Sequence, residues 1–276
     1  MNAYKSELYT MFRLPAVRLV AALCVLMSGV GASLQWSLPF LLKIDPPTAT
    51  DGPAGEQVAA LIAASDPALE RFQLAAMDIT GSGQSSGISA FLIAMVALGI
   101  VAAVIPFGSG AVVWKVAQQS RLKWAVSQLL ALLTLVLLCV IAACGLNVVI
   151  GLMAAGMHGV TLHFSATHFA VWARGIAALL LLVIAIYGVV LAVRKSGQSV
   201  GIIVGIVMVG VIVGTVGSLA GWSPAVFGWL PTSAVSAAGG MNLGETLSPA
   251  LGLLSLAGWA VVSAGIGLIR FSRANL

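Results

Sequence analysis

Charge is the scarcest property of this sequence: Asp, Glu, Lys and Arg together make up 8% of its 276 residues, against roughly 25% in soluble domains. Hydrophobic residues make up 60%, and mean hydropathy is +1.09. A soluble fold of that composition would leave far more apolar surface in water than monomers tolerate. An integral membrane protein is the one broad class that fits. Cysteine is scarce as well. Cys24, Cys139 and Cys144 all lie inside apolar segments, at spacings that suit neither a zinc site nor a disulfide framework, and they read as small hydrophobes. There is no GxxxxGK(S/T) phosphate loop, so the chain does not by itself cradle a nucleotide in the usual way. Ionisable residues within apolar runs, the mark of a proton relay or ion path, are almost missing. Only Arg174 comes close, placed to snorkel toward headgroups. No carboxylate pair and no nucleophile with a base stands out, which weighs against a membrane enzyme. Matched, Pro-broken half-helices are also lacking, which weighs against a secondary transporter. The net charge of +5 does not indicate nucleic acid, because the basic residues sit in ones, twos and threes at the ends of apolar runs. Their role there is topological.

The stretch 99–124, GIVAAVIPFGSGAVVWKVAQQSRLKW, organises the rest. A long apolar segment runs into a compact basic turn (Lys115, Gln118, Gln119, Arg121, Lys123), and a second apolar segment begins at Ala125. Two membrane-length helices joined by a short cationic hairpin mark a cytoplasmic loop. The expected spans are 19–42, 88–113, 125–150, 169–193, 200–219 and 249–269, with a break or kink near Pro106, each long enough to cross a bilayer as a helix. Residues 1–18 mix Tyr4, Leu8, Tyr9, Met11 and Phe12 with Lys5, Glu7 and Arg13, an amphipathic helix suited to the interface. The apolar run after it is too long for a cleavable signal.

Residues 43–87 hold six of the eight acids and form the outer loop. Within it 57–64 and 67–77 have helical composition, with Asp66 placed as an N-cap, and 81–87 is a glycine- and serine-rich return. Trp36, near the far end of the first span, reads as an interfacial anchor. The piece 151–167 is too short and mixed to span. It carries His158 and His163, with His168 just beyond it, and their spacings of five do not stack the three on one helical face as a metal site requires. The fifth span is studded with glycine: Gly201 and Gly205, like Gly210 and Gly214, fall four apart, the small-xxx-small pattern of close helix packing in lipid. Ten of the thirteen basic residues then fall on the inner side with only Glu7 of the acids. The expected fold is all-α and polytopic, with six transmembrane helices, an N-terminal interfacial helix and both termini cytoplasmic.

This layout resembles the membrane permease subunit of a bacterial type-2 ABC transporter, an exporter family with six spans per subunit and a separate ATPase chain. The opening KSELYTMFRLPAVRLV, the segment 106–123, FGWLPTSAVSA (227–237) and the final SPALGLLSLAGWAVVSAGIGLIRFSR carry the resemblance. Of the family's E-Y-x-x-G-T-x-R run only Gly110 is kept, with Pro106, Phe107, Ala111 and Val113 standing elsewhere in it. The resemblance implies a subunit of the bacterial cytoplasmic membrane that pairs with a second permease, identical or different. It binds no cofactor itself; ATP and Mg sit on a partner ABC ATPase. Trp114, Lys115, Gln118, Gln119, Arg121 and Lys123 would seat on that ATPase, the second and fifth spans would line the path, and 224–238, with Trp229 and Pro231, would form an outer gate. The implied cargo is a peptide, antibiotic or lipid-like amphiphile. A membrane scaffold that binds a partner through its outer loop is the competing reading.

Overall fold

The computed structural model of the protein describes residues 3–44, 62–82, 89–220, 222–241 and 247–273. Every regular element among them is a helix: α1 (Ala3–Arg13), α2 (Pro15–Ile44), α3 (Glu70–Met77), α4 (Ala90–Gly108), α5 (Ala111–Gln118), α6 (Arg121–His158), α7 (Ala166–Val193), α8 (Ser196–Leu219), α9 (Pro224–Phe227), α10 (Pro231–Gly239) and α11 (Pro249–Ser272). Six of these, α2, α4, α6, α7, α8 and α11, are long and apolar enough to cross a membrane by length and composition. The protein is an all-α, multi-pass membrane protein.

Helix boundaries follow local chemistry rather than bilayer thickness. Ser89, Ser120 and Ser248 cap α4, α6 and α11, their hydroxyls accepting from Leu92 N, Lys123 N and Leu251 N, which satisfies amides the first helical turn leaves without partners. The third span, expected to end at residue 150, continues to His158. Nothing between Gly151 and His158 breaks a helix, and Gly159, with φ of 67°, supplies the left-handed stop. α4, by contrast, ends at Gly108. The turn expected at 114–124 is a separate short helix, α5, set off by Gly110 at φ 69° and by the extended Gln119. In the outer segment the helix expected over 67–77 begins only at Glu70. Leu69 is its N-cap, and Asp66 accepts instead from Ala68 N at 2.9 Å. Most of the helix expected over 57–64, and of the return over 81–87, lies outside the described residues.

Packing centres on α7, which lies against α11 along most of its length. α2 packs between α4 and α6, and α1 lies along α6. The tightest crossing is at Gly188 and Gly267, where a Cβ on either glycine would strike the backbone of the other helix. Of the six long helices α8 touches its neighbours least, and its described residues are mostly exposed. The ends with Arg121, Arg194, Lys195 and Arg270 form the basic end; α3, α9 and α10 sit at the opposite one.

Candidate functional site

The basic end combines a rigid floor with a projecting helix. Trp124 is fully buried against Phe107 (5.8 Å between ring centroids) and Phe271 (5.4 Å), joining the end of α4, the start of α6 and the end of α11. Tyr187 donates to Ala125 O at 2.9 Å, and Arg121 Nη1 to Ser272 O at 2.9 Å. These bonds lock the first turn of α6 onto α7 and α11.

α5 stands beside this floor with little burial. Val112 is buried and Val116 packs against the core beside it, while Val113 is 52% and Trp114 76% exposed. The Trp114 ring is thus left uncovered by the described parts of the chain, at the level where aromatic side chains meet a membrane–water interface. The helix is held by one strong polar link: Lys115 Nζ lies 2.6 Å from Glu7 Oε2. Glu7 sits on α1 facing α6, its side chain 3% exposed, while that of Lys115 is 22% exposed. Charge-assisted bonds of this length are the stronger class, although the partial exposure of Lys115 keeps the pair to roughly 1 kcal/mol. α1 is fixed further by Tyr4 Oη, 3.0 Å from Thr134 Oγ1 on α6. Position 7 thus connects the N-terminal helix, which runs straight into the first span, to the helix of the turn.

The residues read from the sequence as one basic turn separate into two groups. Trp114, Gln118 and Lys123 are exposed, whereas Lys115 is engaged with Glu7 and Arg121 with the end of α11; Gln119 is half-buried in the link to α6. The glycines of the fifth span separate too. Gly210 meets Thr232 and Gly214 meets Ser233, both on α10, but no other element among the described residues comes within 4 Å of a Cβ built at Gly201 or Gly205.

At the opposite end, Pro231 is the buried first residue of α10. Trp229 is 44% exposed, and its carbonyl accepts from both Ser255 Oγ and Trp259 Nε1 at 2.9 Å, fastening the α9–α10 connection to α11. A groove of about 490 Å³ opens there, lined by Trp229, Leu254 and Trp259. A second, of about 290 Å³, lies between α2 and α6 and is lined by Trp36, Phe40, Met153, Met157 and His158.

A polar knot at this end escaped the sequence reading. Residues 72–82 are buried throughout rather than displayed as an outer loop. Asp78 accepts from Thr80 N at 2.9 Å, from Ser82 N at 2.8 Å and from both hydroxyls at 2.6 Å. Such local bonding satisfies a buried carboxylate without a cation. Ser82 Oγ in turn accepts from Met241 N at 3.2 Å, Thr80 and Ser82 press on Gly239, and Arg174 Nη2 donates to Gly239 O at 3.3 Å. The α3 segment, α10 and α7 therefore meet at one point. The DITGS spacing, an acid with hydroxyls two and four residues on, was the available signal. Arg174, expected to snorkel, instead serves the C-terminus of α10, where a cation is favoured. Trp36, expected at the interface, is buried edge-on to Phe72, 5.2 Å away, because α3 covers it.

The three histidines serve three separate local roles. His158 stacks on Phe40 at 4.2 Å with Nε2 3.0 Å from Trp36 O. The backbone N of His163 donates to Gln73 Oε1, and His168 completes a capping box with Ser165 at the start of α7. Compared with known families and curated proteins, the chain matches no family model and no curated protein.

Proposed function

We propose that this chain is the membrane permease subunit of an ATP-driven exporter of the type-2 ABC class, working with a separate ATPase in a bacterial cytoplasmic membrane. The observation that carries the reading is α5: a short helix between two spans that leaves Trp114 uncovered, yet is joined through Lys115 and Glu7 to the helix that leads the first span. A soluble ATPase that seats Trp114 and then closes would pull on α5. That displacement would pass along the Lys115–Glu7 link to α1 and α2, and through the Gly110 hinge to α4. The chain itself holds no cofactor in this reading, ATP and Mg being bound by the ATPase, and a second permease subunit completes the path. The cargo is an amphiphile, a class that suits the apolar grooves at the opposite end. The scaffold reading keeps only part of its docking loop: residues 62–71 are largely exposed, whereas 72–82 are buried among the spans.

The test is affinity purification of the tagged chain expressed with its neighbouring genes, followed by an ATPase assay. The proposal expects a nucleotide-binding subunit to co-elute in fixed ratio and to hydrolyse ATP. It further expects Trp114→Ala to weaken that association about tenfold or more, as loss of an aromatic anchor does. Elution of the chain alone, with no ATPase activity, would overturn it.

A further inference from the structure

We infer that α1 is a binding surface for the headgroups of anionic phospholipids. The two sides of this helix are chemically distinct. Leu8, Glu7 and Met11 face the protein, with Glu7 and Met11 buried, whereas Lys5, Tyr9, Phe12 and Arg13 are all exposed. Those four occupy positions i, i+4, i+7 and i+8, one continuous stripe at helical periodicity. Arg18, on the first turn of α2, is exposed as well.

Charge complementarity selects the occupant. The only acid on α1 is Glu7, which is turned inward and neutralised by Lys115, so the outward stripe displays Lys5 and Arg13, with Arg18 just beyond, and no carboxylate. Lys5 and Arg18 have no hydrogen bond or ion pair among the described residues; Arg13 places its guanidinium 4.5 Å over the Tyr9 ring. Tyr and Phe interleaved with Lys and Arg suit the headgroup level, where aromatic rings sit at the acyl boundary and cations meet phosphate. Continuity settles the depth. Leu14 alone separates α1 from α2, so the stripe lies where the first span enters the bilayer. Burial of Glu7 therefore does more than hold α5: it removes the one charge that anionic headgroups would repel. The inference is independent of any ATPase partner.

The test uses the full chain in nanodiscs of equal phosphatidylglycerol and phosphatidylcholine, with native mass spectrometry of the lipids retained on gentle release. The wild type is expected to retain phosphatidylglycerol preferentially. Each basic side chain near an anionic surface corresponds to roughly a fivefold preference, so Arg13→Gln lowers the enrichment up to about fivefold, and Lys5→Gln/Arg13→Gln/Arg18→Gln brings it near parity. Lys43→Gln, at the opposite end, leaves it unchanged, and raised salt weakens it. Equal retention of the two lipids by the wild type overturns the inference, as does unchanged enrichment in the triple variant. An acidic soluble protein lost from the triple variant while its lipids stay bound also overturns it. The three side chains are exposed, and the single Arg13→Gln variant gives the same reading should the triple variant fold poorly.

Discussion

Glycine does opposite work on α7 and α8. On α7, Gly188 lets the chain touch the backbone of α11 at Ser263 and Ala264, with Gly267 completing the crossing from the other side; Gly252 on α11 gives α10 the same access. On α8, Gly197, Gly201 and Gly205 face nothing among the described residues, while Gly210 and Gly217 are pressed by Thr232 and Phe227. Glycines four apart recur on α8, whereas Gly188 has only Ala192 at that spacing, yet the closest backbone approach is at Gly188. Spacing reports that a face is smooth. Whether another helix occupies that face depends on where the remaining spans lie, since in lipid packing itself, rather than escape from water, favours association.

That contrast can be broken by substitution, beginning where the effect is largest. Gly188→Val forces a side chain into the α11 backbone and is expected to destabilise the protein by about 3 kcal/mol, read as a lower unfolding temperature in detergent; an unchanged midpoint would dissolve the α7–α11 crossing. Gly210→Leu meets Thr232 and is expected to cost about 1–3 kcal/mol, because α10 has to give way. Glu7→Gln leaves Lys115 without its counter-charge and is expected to cost roughly 1 kcal/mol. Its more telling readout is protease cleavage within 109–120, which should accelerate if α5 is released. Smallest of all, Gly205→Leu is expected to change stability by less than about 0.5 kcal/mol in the monomer. A large loss there would mean that a partner helix covers the Gly201–Gly205 face, so comparing that variant with Gly210→Leu separates packing within the chain from packing between chains.

The legible parts of the molecule were those governed by local rules. Six apolar runs, the basic turn after Phe107 and the amphipathic mixture in 3–13 all became helices, because hydropathy, charge placement and period act over a few residues. Boundaries were less legible at 150, where bilayer thickness was used as a ruler although the helix had no reason to stop before Gly159, and at 108, where two glycines ended a span early. The Glu7–Lys115 link was beyond reach, since the two residues are 108 positions apart and the sequence shows only an acid among inner cations. The buried run 72–82 was hidden for a different cause: its polar residues read as solvent-facing, and their burial is tolerable because Asp78, Thr80 and Ser82 bond to one another and Gln73 bonds to the backbone of Pro67, Thr161 and His163.

By itself, then, the sequence determined that this chain is helical, membrane-embedded and divided into a basic and an acidic end, because transfer free energy and the asymmetry of Lys and Arg are summed residue by residue. Only the tertiary structure decided that Trp114 is left exposed while Trp124 is buried, that Glu7 is neutralised rather than displayed, and that the α3 segment enters the bundle to meet α10. Each of those outcomes depends on which helix stands opposite, a relation between distant positions that no local pattern encodes.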